Sequence, residues 1–285
     1  MSVTESTQDI VLIGFGEVGR AFGVQIESTG ITSRYVDPVA HGTHGSRNVS
    51  AALPSPMQSG TLVLGAVPSA AATAVARDLA TRDESILYVD LTSSPQGLMR
   101  DCAALFDTRP SDFVDGAIMG SVDLSGSGAP VLLSGPAADR ACAALSTLGF
   151  SAKALPASQA GDACGVKLLR TLMTKGIEAL AVECFAAARG MGLEEELRAN
   201  LSDIGARPFP SLLDAMVRTH MIHAPRRQHE VEAAIGQARS LGLKTPVTDA
   251  VLVAYRQTAR RIDSERPPAP GSVAEAVSWL AGSLR

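Results

Sequence analysis

Hydrophobic and polar positions follow two different patterns along the chain. Up to about residue 155, short apolar runs are separated by longer segments with helical spacing. The runs are almost uninterrupted by polar residues, which is typical of parallel strands buried on both faces. In order, they are IVLIG, SRYVD, LVLGAV, ILYVDL, FVDGAI and PVLLSG. Their alternation with crossover helices such as SAAATAVARDLA predicts a doubly wound α/β domain over residues 1–155.

Beyond residue 155 the pattern becomes entirely helical. The stretch from 157 to 192 contains no proline and predicts one long helix that ends near Gly190 and Gly192. Proline and glycine separate five further helical segments. These segments are EEELRANLSDI, PSLLDAMVRTH, RRQHEVEAAIGQARSLG, PVTDAVLVAYRQTARRI and SVAEAVSWLAGSL. An all-α domain is therefore predicted over residues 156–285.

A glycine motif, G-x-G-x-x-G, follows the first predicted strand and leads into a helix. In this context Gly14 permits a tight turn, Gly16 allows a pyrophosphate to approach the backbone, and Gly19 lets the helix pack closely. The start of the helix offers free N–H groups to an anion. The motif predicts a dinucleotide-binding loop, and a glycine-rich turn without a ligand is the alternative. The predicted cofactor-binding residues here are Gly14, Phe15, Gly16, Glu17, Val18 and Gly19.

An acidic residue, Asp37, ends the second predicted strand. At that position a carboxylate can accept hydrogen bonds from the ribose 2′-hydroxyl of NAD and repels the 2′-phosphate of NADP. Asp37 could instead serve only as a turn former before Pro38. Arg34 and Arg47 are close enough in sequence to reach a 2′-phosphate. The pattern favours NAD as the cofactor and leaves NADP possible.

Composition and charge narrow the class of protein. The chain has 285 residues, of which 46% are apolar and 19% charged, and its net charge is −4. This composition is ordinary for a globular protein, and the net charge does not indicate a protein that binds nucleic acid. No apolar run reaches membrane-spanning length, and the first residues lack the features of a signal peptide. The four cysteines and the histidines show no metal-binding spacing, so we expect a cytoplasmic protein with no metal site.

Taken together, the motifs resemble those of the β-hydroxyacid dehydrogenases, which are relatives of 6-phosphogluconate dehydrogenase. The resemblance covers nearly the whole chain and implies a Rossmann-type domain followed by an all-α C-terminal domain. IVLIGFGEVGRAFG is similar to the cofactor fingerprint of that family, and LGAVPS to a loop beside the dinucleotide, which implies cofactor contacts for Val67 and Pro68. VDLTSSP resembles the segment that meets substrate and nicotinamide, and this implies roles for Thr92 and Ser93.

Two further segments resemble family motifs that contact the substrate. VDGAIMGSV lies where the family has Asp-Ala-Pro-Val-Ser-Gly-Gly, which implies substrate contacts for Gly120 and Ser121. GDACGVKLLRT resembles the motif of the catalytic lysine, here Lys167. From the residues alone, Thr92 and Ser93 could instead cap a helix, with Ser94 the better capping candidate, and Gly120 could be a plain turn.

The chain also departs from the family pattern. Arg170 and Thr171 stand where the family usually has two asparagines, and His229–Glu230 stands where it has a Lys-Asp pair. These differences are typical of a poorly characterised subgroup, with Arg170 and Thr171 as candidate substrate contacts and His229 as a candidate cofactor contact. Basic residues also crowd the start of a predicted helix, where Arg226 and Arg227 are candidates for binding an anionic substrate.

The chemistry of Lys167 agrees with the resemblance. Moving a hydride between a cofactor and an alcohol or carbonyl requires a proton acceptor or donor at that oxygen. Burial and the nearby cation Arg170 would both lower the pKa of the Lys167 amine toward neutrality. An exposed lysine in an ion pair is the alternative interpretation. We therefore predict an NAD(P)-dependent oxidoreductase that acts on a small, anionic hydroxy acid or its carbonyl partner, with Lys167 as general acid and base.

Two other functions remain open at this point. An imine reductase has the same architecture and reduces C=N bonds, but those enzymes generally lack this lysine. A non-catalytic dinucleotide sensor would bind the cofactor without turnover. The resemblance further implies a homodimer formed through the helical domain, and the expected partner is otherwise a small-molecule substrate, with no nucleic acid and no membrane.

Overall fold

The computed structural model describes residues 9–202, 204–268 and 271–284. Internal contacts divide the chain into two units, one ending at Thr171 and the other beginning at Leu172. This division falls later than the boundary at 155/156 that the change of pattern suggested. The physical reason is that the first turn after residue 161 is buried in the core of the first unit, where Ala163 and Cys164 are almost completely inaccessible.

The first unit is built on one sheet of nine strands. The strands are β1 Ile10–Ile13, β2 Ser33–Val36, β3 Gly42–His44, β4 Arg47–Ser50, β5 Leu62–Gly65, β6 Leu87–Asp90, β7 Asp112–Ile118, β8 Val131–Ser134 and β9 Ala152–Ala154. Its helices are α1 Glu17–Ser28, α2 Ser69–Ala80, α3 Gln96–Ala104, α4 Val122–Ser125 and α5 Ala138–Thr147. Along the sheet the order is β3-β4-β2-β1-β5-β6-β7-β8-β9.

The strands from β4 to β7 in this order run parallel, with β1 in the middle, and form the doubly wound arrangement that the sequence predicts. All six predicted strands are present. The short strands β3, β4 and β9 were not predicted, because they lie near the edges of the sheet and bury too few side chains to show a pattern. β8 is antiparallel to β7, and β3 is antiparallel to β4.

Two hydrophobic clusters cover the two faces of the sheet. Within β1, Ile10 and Leu12 belong to one cluster, while Val11 and Ile13 belong to the other. Successive side chains of a strand point to opposite faces, so a strand covered on both sides must be apolar at every position. This double burial explains the uninterrupted hydrophobic runs.

The second unit is helical throughout its described residues, apart from the connections between helices. The helices are α6 Asp162–Met191, which begins in the first unit, then α7 Glu194–Asn200, α8 Phe209–Ser240, α9 Pro246–Ser264 and α10 Val273–Ala281. The all-α prediction for the C-terminal part is thus confirmed. Within the described residues, no helix combines the length and the apolar character needed to cross a membrane.

One helix differs from the prediction. Two separate helices were expected, one ending at His220 and the other beginning at Arg226, but α8 is continuous between them with Pro225 in its interior. A proline removes one backbone hydrogen bond from a helix and usually bends it, at a cost of about 3 kcal/mol. Met221 and Ala224 are fully buried beside it, and their packing stabilises the continuous helix.

Side chains cap the ends of two helices in the second unit. The carboxylate of Glu183, on α6, accepts hydrogen bonds from the backbone N–H of Val247 at 2.7 Å and of Thr248 at 3.0 Å, at the first turn of α9. Ser272 and Glu275 form a capping box at the start of α10. Because Glu183 satisfies amides that the helix itself leaves unpaired, it fixes α9 against α6.

The glycine loop between β1 and α1 has strict steric requirements. Gly14 has φ +96°, and a Cβ atom there would lie 2.2 Å from the Ala66 carbonyl oxygen. A Cβ atom on Gly19 would lie 1.9 Å from the Gly14 carbonyl oxygen. Around Gly16, by contrast, no atom of the described residues beyond its chain neighbours lies within 4 Å of the position that a Cβ would take. The loop is therefore tightly packed at its two outer glycines and open at the middle one.

This contrast gives a stability prediction. Replacing Gly19 by Ala forces α1 away from the loop, so we expect the free energy of unfolding to fall by about 1–3 kcal/mol. Replacing Gly16 by Ala should cost less than about 1 kcal/mol, since only its N-cap position is affected. Urea denaturation of both variants measures the difference. Equal stability of the two variants would contradict the packing described here.

Candidate active site

A cavity of about 290 Å³ opens at the carboxyl ends of β5 and β6, beside the start of α1. Open α/β sheets bind ligands at the carboxyl ends of their strands. The site lies where the chain passes from one half of the sheet to the other, here between β1 and β5. Five of the residues predicted from the sequence lie in its wall. The lining consists of Val18, Ala66, Val67, Pro68, Ser69, Leu91, Thr92 and Ser93.

Asp37 is bound to the glycine loop. One carboxylate oxygen accepts a hydrogen bond from the Phe15 backbone N–H at 2.8 Å, and the other accepts from Val39 and Ala40 at 2.8 and 2.9 Å. Burial raises the pKa of Asp37, but these three bonds outweigh it and the pKa is lowered overall. Asp37 therefore does form the turn, and as an anion it stands beside the loop that the dinucleotide motif predicts. The Phe15 side chain itself is buried in the core.

The two arginines considered as contacts for a 2′-phosphate already have partners. Arg47 donates to both oxygens of Glu27, at 2.8 and 2.5 Å, and Arg34 forms an ion pair with Asp9. Tyr35 also donates its hydroxyl to Glu27, at 2.5 Å. Recruiting either arginine to a ligand would require breaking these contacts.

Lys167 lies on the first turns of α6, and its side chain reaches the same sheet edge. Its Nζ donates to the Ser93 hydroxyl at 2.5 Å. Burial lowers the pKa of the Lys167 amine, and the cation of Arg170 lowers it further, while Cys164 and Asp115 act in the opposite direction. The net direction is the one predicted from the sequence. A half-buried amine with a depressed pKa can release and accept a proton closer to neutral pH than a free lysine.

The position of Lys167 depends on a buried carboxylate that the sequence motifs did not single out. Asp115, on β7, is fully buried, and one of its oxygens accepts from the Ser134 hydroxyl at 2.8 Å and from the backbone N–H groups of Gly161 and Cys164 at 3.0 and 3.1 Å. Ser134 in turn accepts from the Ala163 N–H at 2.9 Å. These amides belong to the start of α6, where a helix leaves its own N–H groups unpaired.

A second buried acid shapes the loop that carries Ser93. Asp90, at the end of β6, accepts from the Tyr88 hydroxyl at 2.9 Å and from the Thr92 N–H at 2.8 Å, and burial raises its pKa. The thiol of Cys164 donates to the Thr92 carbonyl at 3.4 Å, and burial together with Asp115 raises the pKa of this thiol to about 12. A sequence signal existed for both acids, since each is the one charged residue within an apolar run.

Other predicted residues of the first unit have more ordinary surroundings. Gly120 has φ +129° and is exposed, and Ser121 precedes α4 without capping it through its side chain. The Thr171 hydroxyl donates to the Lys167 carbonyl at 3.0 Å, within the helix. The expectation that Ser94 caps α3 was wrong: Pro95 precedes that helix, and Ser94 is hydrogen-bonded to Ser69 at 2.7 Å.

The basic residues of the second unit lie in the middle of α8 and not at a helix start, so the helix-terminus argument for them was wrong. Arg226 forms an ion pair with Glu230, and His229 lies 3.3 Å from Glu232 in an exposed position. Arg227 donates to the Thr219 hydroxyl through two nitrogens, each at 3.2 Å. On the continuous helix Arg227 points away from Arg226 and His229, which are three residues apart and share the exposed face. Over the described part of the chain, no group of three or more His, Cys, Asp or Glu side chains could hold a metal ion.

Comparison with known proteins gives two short sequence matches. Residues 188–258 match a family model described as a domain of unknown function, DUF1932. An uncharacterised 28.5 kDa protein of Methanothermus fervidus, named for its place in the 7S RNA 5′ region, is 35% identical over 74 residues. That match spans 26% of this chain and 30% of the relative's length.

Solved structures match over nearly the whole chain. A conserved protein of unknown function, described as structurally similar to 3-hydroxyacid dehydrogenases, is 23% identical, with a TM-score of 0.58 over 88% of this chain and 97% of that one. A variant of the imine reductase from Myxococcus stipitatus is 17% identical, with a TM-score of 0.74 over 97% and 99% of the two chains. The chain has the fold of the 3-hydroxyacid dehydrogenase-like proteins and the imine reductases. Because both sequence identities are below 25%, the structural similarity establishes the fold alone.

The surroundings of Lys167 predict how its amine titrates. Removing the cation with Arg170→Gln should raise the pKa of Lys167, because Arg170 disfavours the charged amine. Labelling with an amine-reactive reagent at a series of pH values, read out on the Lys167 peptide by mass spectrometry, measures that pKa. We expect wild-type Lys167 to react at lower pH than a lysine in an unstructured reference peptide, and the variant to react at higher pH than wild type. A Lys167 profile identical to that of the reference peptide would contradict the lowered pKa.

Proposed function

We propose that this protein is an NAD(P)-dependent oxidoreductase that moves a hydride between the nicotinamide and a small hydroxy acid or its carbonyl partner. The observation that carries this proposal is the Lys167 amine, held 2.5 Å from Ser93 at the sheet edge where the glycine loop also ends. The shared fold with dehydrogenases and reductases supports it. The four free cysteines fit the reducing cytosol in which we expect the enzyme to act.

In the proposed mechanism the protein's own residues handle the proton. For oxidation, the neutral Lys167 amine accepts the proton of the substrate hydroxyl; for reduction, the ammonium form returns it to the carbonyl oxygen. Ser93 orients the amine through their hydrogen bond, and Thr92 lines the adjoining cavity. The bound nicotinamide would accept or deliver the hydride. A lowered pKa makes the neutral form of Lys167 easier to reach than that of a free lysine.

The residues that would hold the cofactor fit a dinucleotide. Gly16 has open space above it, as a pyrophosphate requires, and the start of α1 offers its unpaired amides. The anionic Asp37 favours the ribose hydroxyl of NAD over the phosphate of NADP, and Arg34 and Arg47 are already paired. Structures of the Myxococcus imine reductase contain NADP+ or, for a variant, NAD+. We propose NAD here, and titrating both cofactors onto wild type and Asp37→Ala tests the preference.

An anionic substrate is the second part of the proposal. Arg170 is exposed one turn beyond Lys167, and among the described residues no carboxylate lies within ion-pair distance of it. An exposed guanidinium without an acidic partner is suited to bidentate binding of a carboxylate or phosphate. Comparing kcat/KM for matched acid and amide substrates tests this: equal values would exclude an oxyanion contact.

Imine reduction is the alternative function, and the fold likeness to an imine reductase favours it. Lys167 argues against it, because an imine nitrogen is far more basic than a carbonyl oxygen and its reduction depends less on a positioned proton donor. Steady-state assays with cyclic imines and with 2- and 3-oxo acids separate the two. Binding of cofactor without turnover of any of these compounds would instead indicate the dinucleotide sensor.

The lysine assignment predicts the behaviour of a single variant. Lys167→Ala should lose at least about a hundredfold in kcat, as expected for removing a general acid and base. The affinity for the cofactor should change little, because Lys167 contacts Ser93 and not the glycine loop. Lys175→Ala is the matched control, since that lysine forms an exposed ion pair with Glu178 on the same helix. Turnover by Lys167→Ala near the wild-type rate would refute the assignment.

We also propose that the protein is a homodimer formed through the helical unit. The part of α6 within this unit exposes large apolar side chains along one face, among them Leu172 at 75%, Ile177 at 45% and Leu180 at 39%. Adjacent exposed apolar side chains on one helix face are uncommon on a monomer and are typical of a protein-protein interface. A second copy of the same face would bury them.

The dimer proposal predicts a change of mass in solution. We expect light scattering to give twice the mass of the chain for wild type, and a monomer for Leu172→Glu, because a charge in the centre of an apolar interface loses its hydration. Lys175→Gln serves as the control on the same helix and should remain a dimer. A monomeric wild-type protein would refute the proposal.

A further inference from the structure

The second unit contains a cavity of about 410 Å³ lined by α8, α9 and α10. Its wall combines one cation, two aromatic rings and apolar side chains. The lining residues are Met216, Val217, His220, Arg227, Tyr255 and Leu280. A volume of this size is in the range of small-molecule sites, which typically pair an apolar wall with a few placed polar groups.

Arg227 is the charged group of this cavity. Its guanidinium donates twice to a single neutral hydroxyl, that of Thr219, and over the described residues no carboxylate lies within ion-pair distance of it. Its neighbour Arg226 is different, since it pairs with Glu230 on the exposed side of α8. A half-buried arginine with no acidic partner is an incomplete charge pair, and an anion in the cavity would complete it.

The aromatic groups define the shape of the site beside the guanidinium. His220 and Tyr255 pack edge to face, with ring centroids 4.6 Å apart, and the His220 Nε2 lies 3.0 Å from the Thr258 hydroxyl. These contacts hold both rings in fixed positions. Met216, Val217 and Leu280 supply the apolar remainder of the wall.

We infer that this cavity binds a small carboxylate with an apolar tail. Arg227 donates hydrogen bonds to the carboxylate, and the apolar wall contacts the tail. The carboxylate matches the planar guanidinium fork, which makes two parallel hydrogen bonds to such a group. The tail matches the aromatic and aliphatic lining. The inference concerns the second unit alone and does not depend on hydride transfer or on Lys167.

Isothermal titration of the full-length protein with hexanoate, hexanamide and acetate tests the site. We expect hexanoate to bind, and both hexanamide and acetate to bind at least about tenfold more weakly, because one lacks the charge and the other the tail. Arg227→Gln should weaken hexanoate binding by about tenfold or more, whereas Arg226→Gln should leave it within about twofold.

Two further variants keep the test decisive. Val217→Phe narrows the cavity without touching the guanidinium, so it should weaken hexanoate while sparing acetate; this holds even if Arg227→Gln folds poorly. Lys167→Ala should leave hexanoate binding unchanged. The inference is overturned if hexanoate does not bind saturably, if Arg226→Gln and Arg227→Gln weaken it equally, or if Lys167→Ala abolishes it, which would place the anion at the candidate active site.

Discussion

The arrangement of the candidate active site depends on one buried carboxylate, Asp115. A fully buried acid is costly unless its oxygens are hydrogen-bonded, and here the Ser134 hydroxyl and two backbone amides meet one of them. The amides belong to the start of α6, so the bond that stabilises the acid also fixes where the helix begins. Lys167 follows one turn after Cys164, and its contact with Ser93 is set by this anchor.

The same anchor links the electrostatics of the site to its packing. Burial of the first turns of α6 lowers the pKa of Lys167, while the nearby Asp115 and Cys164 limit that effect. On the other side, Asp90 holds the loop of Thr92 through its N–H. Two acids inside the sheet thus position the two segments, one from β6 and one from α6, that bring a hydroxyl and an amine together. Such preorganisation is what a proton-transferring site needs.

The helical unit shows how a charged cluster in sequence can divide in space. Arg226 and Arg227 are adjacent, yet one is neutralised on the exposed face and the other lines a cavity. Neighbours on a helix are rotated by about 100°, so consecutive side chains seldom share an environment. The adjacency of the two arginines in the sequence therefore does not imply a shared function.

The sequence by itself determined the doubly wound sheet, the glycine turn and the helical second half, because each rests on local periodicity or on one residue's conformational freedom. The need for Gly14 and Gly19 could be read directly from their spacing. The tertiary structure alone decided that α6 starts within the first unit, that α8 passes through Pro225, and that Asp115 holds Gly161 and Cys164. These features depend on contacts between residues far apart in the chain, and local patterns carry no record of such contacts.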